Sequence, residues 1–219
     1  MIVETLSGLC WHVDDAARKL SCRARLPGAR VFDLAAESLR QARARGASAE
    51  ERLYLALPAS WLVNSPAISQ VLRRWALPLD RDVWIALLDA LEPGNQIVRR
   101  EASIKEAIRS LGSEPYAIEA ISKVAALLVP DVVPLMPSPA RAFVLGEAEG
   151  ADEEAFFAMA SWLVREARAN GPELKALAEG HKEVRLSGAQ VLDRLLWFDS
   201  EGYRHFQSEG FAEPQRTRA

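Results

Sequence analysis

The sequence has few cysteines, no long apolar run and almost no excess of charge. Cys10 and Cys22 are too few for a disulfide framework and match no CxxC metal spacing. We therefore expect two small, buried or half-buried thiols in a reducing compartment. The longest apolar run, Val124–Pro130, is far below the roughly 18 residues that a membrane-spanning helix needs. A formal net charge of −3 gives no global reason to expect nucleic acid or an acidic membrane as a partner.

Other familiar signals are missing as well. The first residues carry Glu4 and no basic segment, so they do not read as a secretory signal peptide. No GxSxG or SxxK marks a serine nucleophile, and no GxGxxG or GxxxxGK[ST] marks a phosphate-binding loop. HExxH zinc motifs and calcium loops of EF-hand spacing are also absent. These absences predict a cytoplasmic protein without catalytic, cofactor-binding or metal-ligating residues. They leave enzyme activity uncertain and favour a protein that is not an enzyme.

What is present is helical periodicity. Hydrophobic residues make up 49% of the chain and recur at three- and four-residue spacing in most segments, including 68–75. No segment alternates with a sustained period of two. We predict an all-α fold of roughly nine or ten helices in an orthogonal multi-helix bundle. The residues expected in its core are Leu87, Leu88, Ile121, Val124, Leu128, Leu163, Leu192 and Leu195.

Capping signals predict where several helices begin and end. Ser48-x-x-Glu51 and Ser103-x-x-Glu106 have the spacing of capping boxes, and Ser65–Pro66 places a proline at a first helical position. Acidic residues at 152–154 suit a helix start. The glycines expected to follow helix ends are Gly46, Gly94, Gly112, Gly146, Gly171 and Gly180.

Domain boundaries are less clearly marked. The segment 147–152, EAEGAD, is small, acidic and resembles a linker, so it is a possible point of subdivision. The helical patterns before and after it are both amphipathic, which favours one shared core. We therefore predict a single all-α domain over residues 1–212. Residues 213–219 are predicted to form a disordered tail, because they lack apolar side chains other than alanine.

Few polar side chains stand out as candidates for chemistry. Lys123 lies four residues after Glu119, a spacing that predicts a solvated ion pair on a helix. A catalytic amine at Lys123 would need burial and a carbonyl-binding pocket. The histidines His12, His181 and His205 lie far apart in sequence, so surface or half-buried positions are expected for each. Ser138 lies between two prolines, which predicts an exposed turn.

Aromatic and basic residues leave two alternatives open. Six tryptophans, most of them in apolar stripes, predict core packing, whereas one or two with Tyr203 and Phe206 would form an exposed patch for a partner. Basic residues cluster along the first fifth of the chain, where a solvated helix face is the expectation and an anion- or nucleic-acid-binding strip the alternative. They are Arg18, Lys19, Arg23, Arg25, Arg30, Arg40, Arg43 and Arg45.

The segment 111–143 resembles, in part, the helix–hairpin–helix proteins of the DNA-glycosylase kind. Its LGSEPY stretch falls where the hairpin would lie, and Val133-Pro134-Leu135-Met136 resembles the Pro-x-Asp turn. The resemblance places Met136 at the catalytic aspartate and Ala117 or Ile118 at the lyase-type lysine. A thioether cannot act as a carboxylate, and Glu114 would repel a phosphate. The resemblance therefore implies shared topology without base-excision activity.

Together these observations favour a cytoplasmic protein that acts through protein–protein contacts, with an unidentified protein or as a homodimer. A degenerate helix–hairpin–helix module that binds nucleic acid without catalysis is the alternative, and an enzyme of unrecognised type is the third. The sequence predicts no membrane partner.

Overall fold

The computed structural model describes residues 2–5, 8–61, 81–92, 94–112, 117–146, 152–181, 185–202, 204 and 207. Over these residues the chain forms ten α-helices, a 3₁₀ segment at Gly94–Arg100 and a π-helical turn at Phe198–Gly202. Two short strands pair antiparallel, which is the only sheet in the described ranges. The predictions of an all-α class and a helical bundle are confirmed. Orthogonal crossing of the helices stays a prediction.

The elements follow one another with short connections. The strands are β1 (Ile2–Glu4) and β2 (Cys10–His12). The helices are α1 (Val13–Ala24), α2 (Pro27–Ala44), α3 (Ala49–Trp61), α4 (Arg81–Leu91), α5 (Glu101–Leu111), α6 (Ala117–Leu128), α7 (Ser138–Leu145), α8 (Asp152–Ala169), α9 (Gly171–Gly180) and α10 (Gly188–Trp197).

Capping residues explain several of these boundaries. The Ser48 side chain accepts from the Glu51 backbone N–H at 3.1 Å and Glu51 accepts from the Ser48 N–H at 2.7 Å, so the predicted capping box opens α3. The same arrangement at Ser187 and Gln190, which the sequence analysis did not single out, opens α10. Three acidic residues lie in the first turn of α8, as predicted. Gly46, after α2, adopts the positive φ of 88° that favours glycine.

Other predicted boundaries are wrong. α5 begins at Glu101, directly after the 3₁₀ segment, so Ser103 lies inside its first turn and does not cap it. The 3₁₀ segment runs directly into α5, and Arg100 is the N-cap residue. Gly94 begins the 3₁₀ segment, while Gly171 and Gly180 are the first and last residues of α9. These three glycines lie at the first or last residue of a helical segment and do not follow a helix end.

The core is large and apolar. All eight residues predicted for it are buried, with exposed fractions of 4% or less. α5 packs against α4 and α8, whereas α6 packs against α2 and α3. The same hydrophobic cluster contains residues from both sides of 147–151, such as Ile121 and Leu163. The single domain over 1–212 stays a prediction, with which this shared cluster agrees.

The amino-terminal hairpin attaches to the C-terminal helices. Val3 pairs with Trp11 in register, and both side chains are buried. The Glu4 backbone N–H donates to Asn170 Oδ1 at 3.2 Å, and the Trp11 indole N–H donates to Asp199 Oδ2 at 2.7 Å. These contacts join the first strand to the end of α8 and the second strand to the π-helical turn.

Some predictions concern parts of the chain outside the described residues. They include the helical stripe at 68–75, the start signal at Ser65–Pro66, most of the linker-like segment and the tail at 213–219. Among the helices that the structure describes, none combines the length and the apolar character that crossing a bilayer requires.

Candidate ligand-binding pocket

A pocket opens where the end of α1, the start of α2, α6 and the end of α10 meet. Its cavity volume is about 240 Å³. Walls come from the turn Leu26–Gly28, the extended stretch before α7 and the π-helical turn. The lining residues include Arg23, Leu26, Phe32, Lys123, Trp197 and Glu201. Most of the wall is apolar, with a few polar groups among the rings, as in sites that bind small organic molecules.

The two rings of the wall are held by close packing. Phe32 is 3% exposed and lies on the first turns of α2, whereas Trp197 ends α10 and is half-buried. A Cβ at Gly202 would lie 2.4 Å from Cζ3 of Trp197, much closer than a van der Waals contact. Residue 202 must therefore be glycine for the indole to keep its position at the pocket.

Lys123 lies on the face of α6 that lines the pocket, and its side chain is half-buried. Among the described residues, no hydrogen-bond or ion-pair partner lies within reach of its Nζ. Burial lowers the pKa of the Lys123 amine, and the nearby Glu119 and Glu201 carboxylates oppose this shift only partly. The structure thus places the Lys123 amine partly buried in a pocket.

The predicted ion pair between Glu119 and Lys123 is wrong, and the structure shows why. Glu119 Oε1 accepts from the Ser138 backbone N–H at 3.0 Å and from the Ser138 hydroxyl at 3.1 Å. Glu119 therefore satisfies the first turn of α7, where negative charge is favoured. Because this carboxylate is engaged across the turn, the amine one helical turn along α6 lies without an ion-pair partner in the described part of the chain.

Four buried charged residues lie beside the pocket. We call the pocket together with these four residues the pocket corner. Asp33 on α2 pairs with Arg23 of α1 and, at 2.9 Å, with Nε of Arg194 of α10. Arg194 also pairs with Asp193. All four residues are at most 4% exposed. We name this set the buried charge cluster; it ties three helices together and includes one pocket residue, Arg23.

The pKa values of the two aspartates in the cluster shift in opposite directions. Burial alone would raise the pKa of Asp33, but the guanidiniums of Arg23 and Arg194 outweigh it and hold this pKa below its ordinary value. Burial raises the pKa of Asp193, against the attraction of Arg194 and the hydrogen bond from Leu135. Asp33 is therefore the carboxylate that keeps both arginines compensated.

Both guanidiniums also stack on the rings of the wall. Arg23 lies 5.4 Å above the Trp197 ring centroid, and Arg194 lies 5.2 Å from that of Phe32. Within the described residues, Nε of Arg23 and Nη2 of Arg194 are buried without a hydrogen-bond partner. An unsatisfied buried donor lowers the free energy of unfolding, so this arrangement of arginines and rings reduces the stability of the fold.

The extended stretch at 133–137 is fixed from both sides. The Leu135 backbone N–H donates to Asp193 Oδ1 at 2.8 Å, and the Met136 N–H donates to the Ser122 hydroxyl at 3.1 Å. These bonds hold the wall formed by Leu135 and Pro137 opposite the start of α2. The pocket is preformed in the folded chain, because hydrogen bonds position this wall without a ligand.

The positions that carry the helix–hairpin–helix resemblance lie in the core. Met136 and Ala117 have no exposed surface, and Ile118 is 2% exposed. Gly112 follows α5, while Glu114 lies outside the described residues. No side chain with acid or amine chemistry occupies the three buried positions. The resemblance itself stays a prediction.

Other candidate residues are dispersed. His12 is exposed and His181 half-buried, while His205 lies outside the described residues. Nowhere in the described ranges do three acidic, histidine or cysteine side chains come together as a metal site would require. Cys22 is buried, whereas Cys10 is exposed, which corrects the expectation that both thiols would be at least half-buried. Cys10 points outwards because it alternates with buried Trp11 on a strand.

Aromatic and basic residues follow the more ordinary of their two interpretations in most cases. Trp11, Trp84 and Trp162 are buried in the core, whereas Tyr203 and Phe206 lie outside the described residues. Several basic residues at the start of the chain pair with neighbouring acids: Arg18 and Lys19 with Asp15, Arg40 with Glu37 and Arg43 with Glu92. Arg23 is wrongly assigned to a solvated face, because it is buried in the charge cluster.

Comparisons with family models, curated proteins and solved structures found no match to this chain. The pocket therefore has to be interpreted from its own residues. Sequence reasoning considered Lys123 and discarded it, and it missed Asp33, Arg194 and Glu201. One signal was available: Asp193 and Arg194 stand within the apolar stripe of α10, where charged residues need buried partners.

Proposed function

We propose that this protein is a cytoplasmic binding protein for a small organic molecule, which enters the Lys123 pocket. The ligand has a flat apolar body and an oxygen that faces the amine. Trp197, Phe32 and Leu26 supply apolar and aromatic surface for the body, and Lys123 supplies a donor. The cavity has the size of a single small metabolite and is too small for a peptide segment with its flanking chain.

One observation carries this proposal: Lys123 lines an apolar pocket and has no ion-pair partner among the described residues. An amine in such surroundings costs folding free energy unless it gains an interaction elsewhere. A bound oxygen would supply that interaction. An amine of lowered pKa within a cleft is moreover the type of perturbed group that occurs at functional sites.

The charges around the pocket define the type of ligand further. Arg23 is compensated by Asp33, and Glu201 places a carboxylate in the wall beside Lys123. The corner therefore carries little net charge. This arrangement favours a ligand with a carbonyl or a single carboxylate over one with several phosphates.

Ligand-observed NMR with benzoate, benzamide and benzyl alcohol tests the proposal. We expect binding with a Kd on the order of 1 mM, because so small a ligand gains little free energy in total. The Gly202→Ala variant should weaken binding by about tenfold, since the new methyl group forces Trp197 out of its position in the pocket wall. Gly180→Ala is the matched control, because a Cβ at this residue meets nothing within 4 Å.

Two outcomes would contradict the proposal. One is the absence of binding by all three probes at millimolar concentration, and the other is equal binding by Gly202→Ala and the wild type. The predicted protein–protein contacts, a homodimer included, and the predicted nucleic-acid module remain alternatives. Sedimentation of the purified protein alone and with duplex DNA would detect either of them.

A further inference from the structure

We propose that Lys123 forms an imine with an aldehyde or ketone ligand held in its pocket. This inference rests on the proposed function, since the ligand must first enter the same cavity. It assigns the protein a covalent chemistry and its ligand a carbonyl group.

The geometry separates Lys123 from the other lysines of the chain. Lys19 lies 3.0 Å from Asp15 and 2.7 Å from Asp199, and Lys105 lies between Glu101 and Glu154. Lys175 is 76% exposed on α9, and Lys182 lies outside the described residues. Lys123 alone among the four described lysines is half-buried in a cavity and without an ion pair.

The groups around the amine suit the reaction. The carboxylates of Glu201 on the π-helical turn and Glu119 on the same helix act on the charge of Lys123, and Arg23 of α1 lines the same pocket. Burial lowers the pKa of the amine, so a larger share of Lys123 carries the free electron pair at neutral pH than an exposed lysine does.

The step balances without an oxidant or a reductant. The electron pair of Nζ forms a bond to the carbonyl carbon, and the carbonyl oxygen takes up a proton to give a carbinolamine. The carbon–oxygen bond then breaks and the oxygen leaves as water, carrying the two hydrogens that the amine has lost. Because no carboxylate among the described residues lies within hydrogen-bond reach of Nζ, solvent carries the proton from nitrogen to the leaving oxygen.

Reductive trapping tests this inference on the full chain. The protein is incubated with benzaldehyde and sodium cyanoborohydride at pH 7, and peptide mass spectrometry measures the rate of benzylation at each lysine. We expect Lys123 to react at least about tenfold faster than Lys175, because the pocket holds the aldehyde next to this amine. Gly202→Ala should slow trapping at Lys123 and leave Lys175 unchanged, whereas Gly180→Ala should change neither rate.

The possible results separate the two proposals. If benzoate binds in the NMR experiment but Lys123 reacts no faster than Lys175, the imine is wrong and the binding pocket stands. If no probe binds and Lys123 is not favoured, both proposals fall. Preferential labelling of Lys123 that Gly202→Ala does not slow would also overturn the inference, because the reactivity would then not depend on the pocket.

Discussion

The pocket corner and the packed layer of α4, α5 and α8 stabilise the fold in different ways. In the packed layer most of the buried residues are aliphatic or aromatic, and Leu87, Leu88 and Ile108 are at most 1% exposed. At the corner the chain buries two arginines and two aspartates and leaves a cavity of about 240 Å³. The packed layer gains stability from close apolar packing, whereas the pocket corner loses folding free energy because its charges are desolvated.

This difference agrees with the position of the proposed binding pocket. Apolar side chains filling the corner would give equal or higher stability, because replacing a buried ion-pair network by well-packed hydrophobic residues is often neutral or stabilising. The charges instead hold Trp197 and Phe32 apart as walls, and they keep three helices in register around an open space. The contrast between the two regions can be tested by substitution.

The largest effect is expected for Asp33→Asn in the buried charge cluster. The amide removes the charge that compensates Arg23 and Arg194, so two buried guanidiniums lose their shared partner. Breaking such a pair costs about 3–5 kcal/mol in free energy of unfolding. Urea denaturation measures this loss, with Asp82→Asn as the control, because the Asp82 side chain is 85% exposed and its midpoint should not move. A loss below about 1 kcal/mol would mean that Asp33 does not hold the corner.

A somewhat smaller loss is expected for Leu88→Ala in the packed layer. Leu88 has no exposed surface, and the cavity left behind costs about 2–5 kcal/mol. This variant should leave the affinity for benzoate unchanged under conditions in which it remains folded. Leu88→Met conserves volume and should cost less than about 1.5 kcal/mol. Weakened benzoate binding by folded Leu88→Ala would show that the two regions are not independent.

The smallest effect, with the opposite sign, is expected for Lys123→Met. Because burial lowers the pKa of Lys123 in the folded chain, the unfolded chain binds more protons between this lowered value and the ordinary lysine pKa of about 10.4. Wild-type stability therefore rises with pH through this range, and the full cost of the charged amine applies below it. Lys123→Met should be more stable than the wild type at pH 7, with an advantage that shrinks towards pH 10. Denaturation at both pH values measures it, and Lys175→Met should show no such trend.

Sequence patterns predicted one of these regions far better than the other. The apolar stripes of α4, α6 and α8 identified the core because helical periodicity is a local property that a window of residues displays. The capping box at Ser48 was predictable for the same reason.

The pocket, in contrast, depends on contacts between distant parts of the chain. Asp33 and Arg194 are 161 residues apart, so their pairing has no local signal. The behaviour of Lys123 was predicted wrongly because Glu119 bonds to Ser138, a partner 19 residues away, and a spacing rule cannot include such a competitor. The hydrogen-bond partner of such a carboxylate is therefore known only from the folded structure.

The attachment of the amino-terminal hairpin has a consequence for the order of folding. Glu4 bonds to a residue 166 positions later and Trp11 to one 188 positions later, so neither contact can form during synthesis until Asn170 and Asp199 have left the ribosome. The strands β1 and β2 must then remain undocked from Asn170 and Asp199 while the intervening helices assemble. Closing so long a loop is slow compared with forming helices, which makes docking of the hairpin a late event in folding.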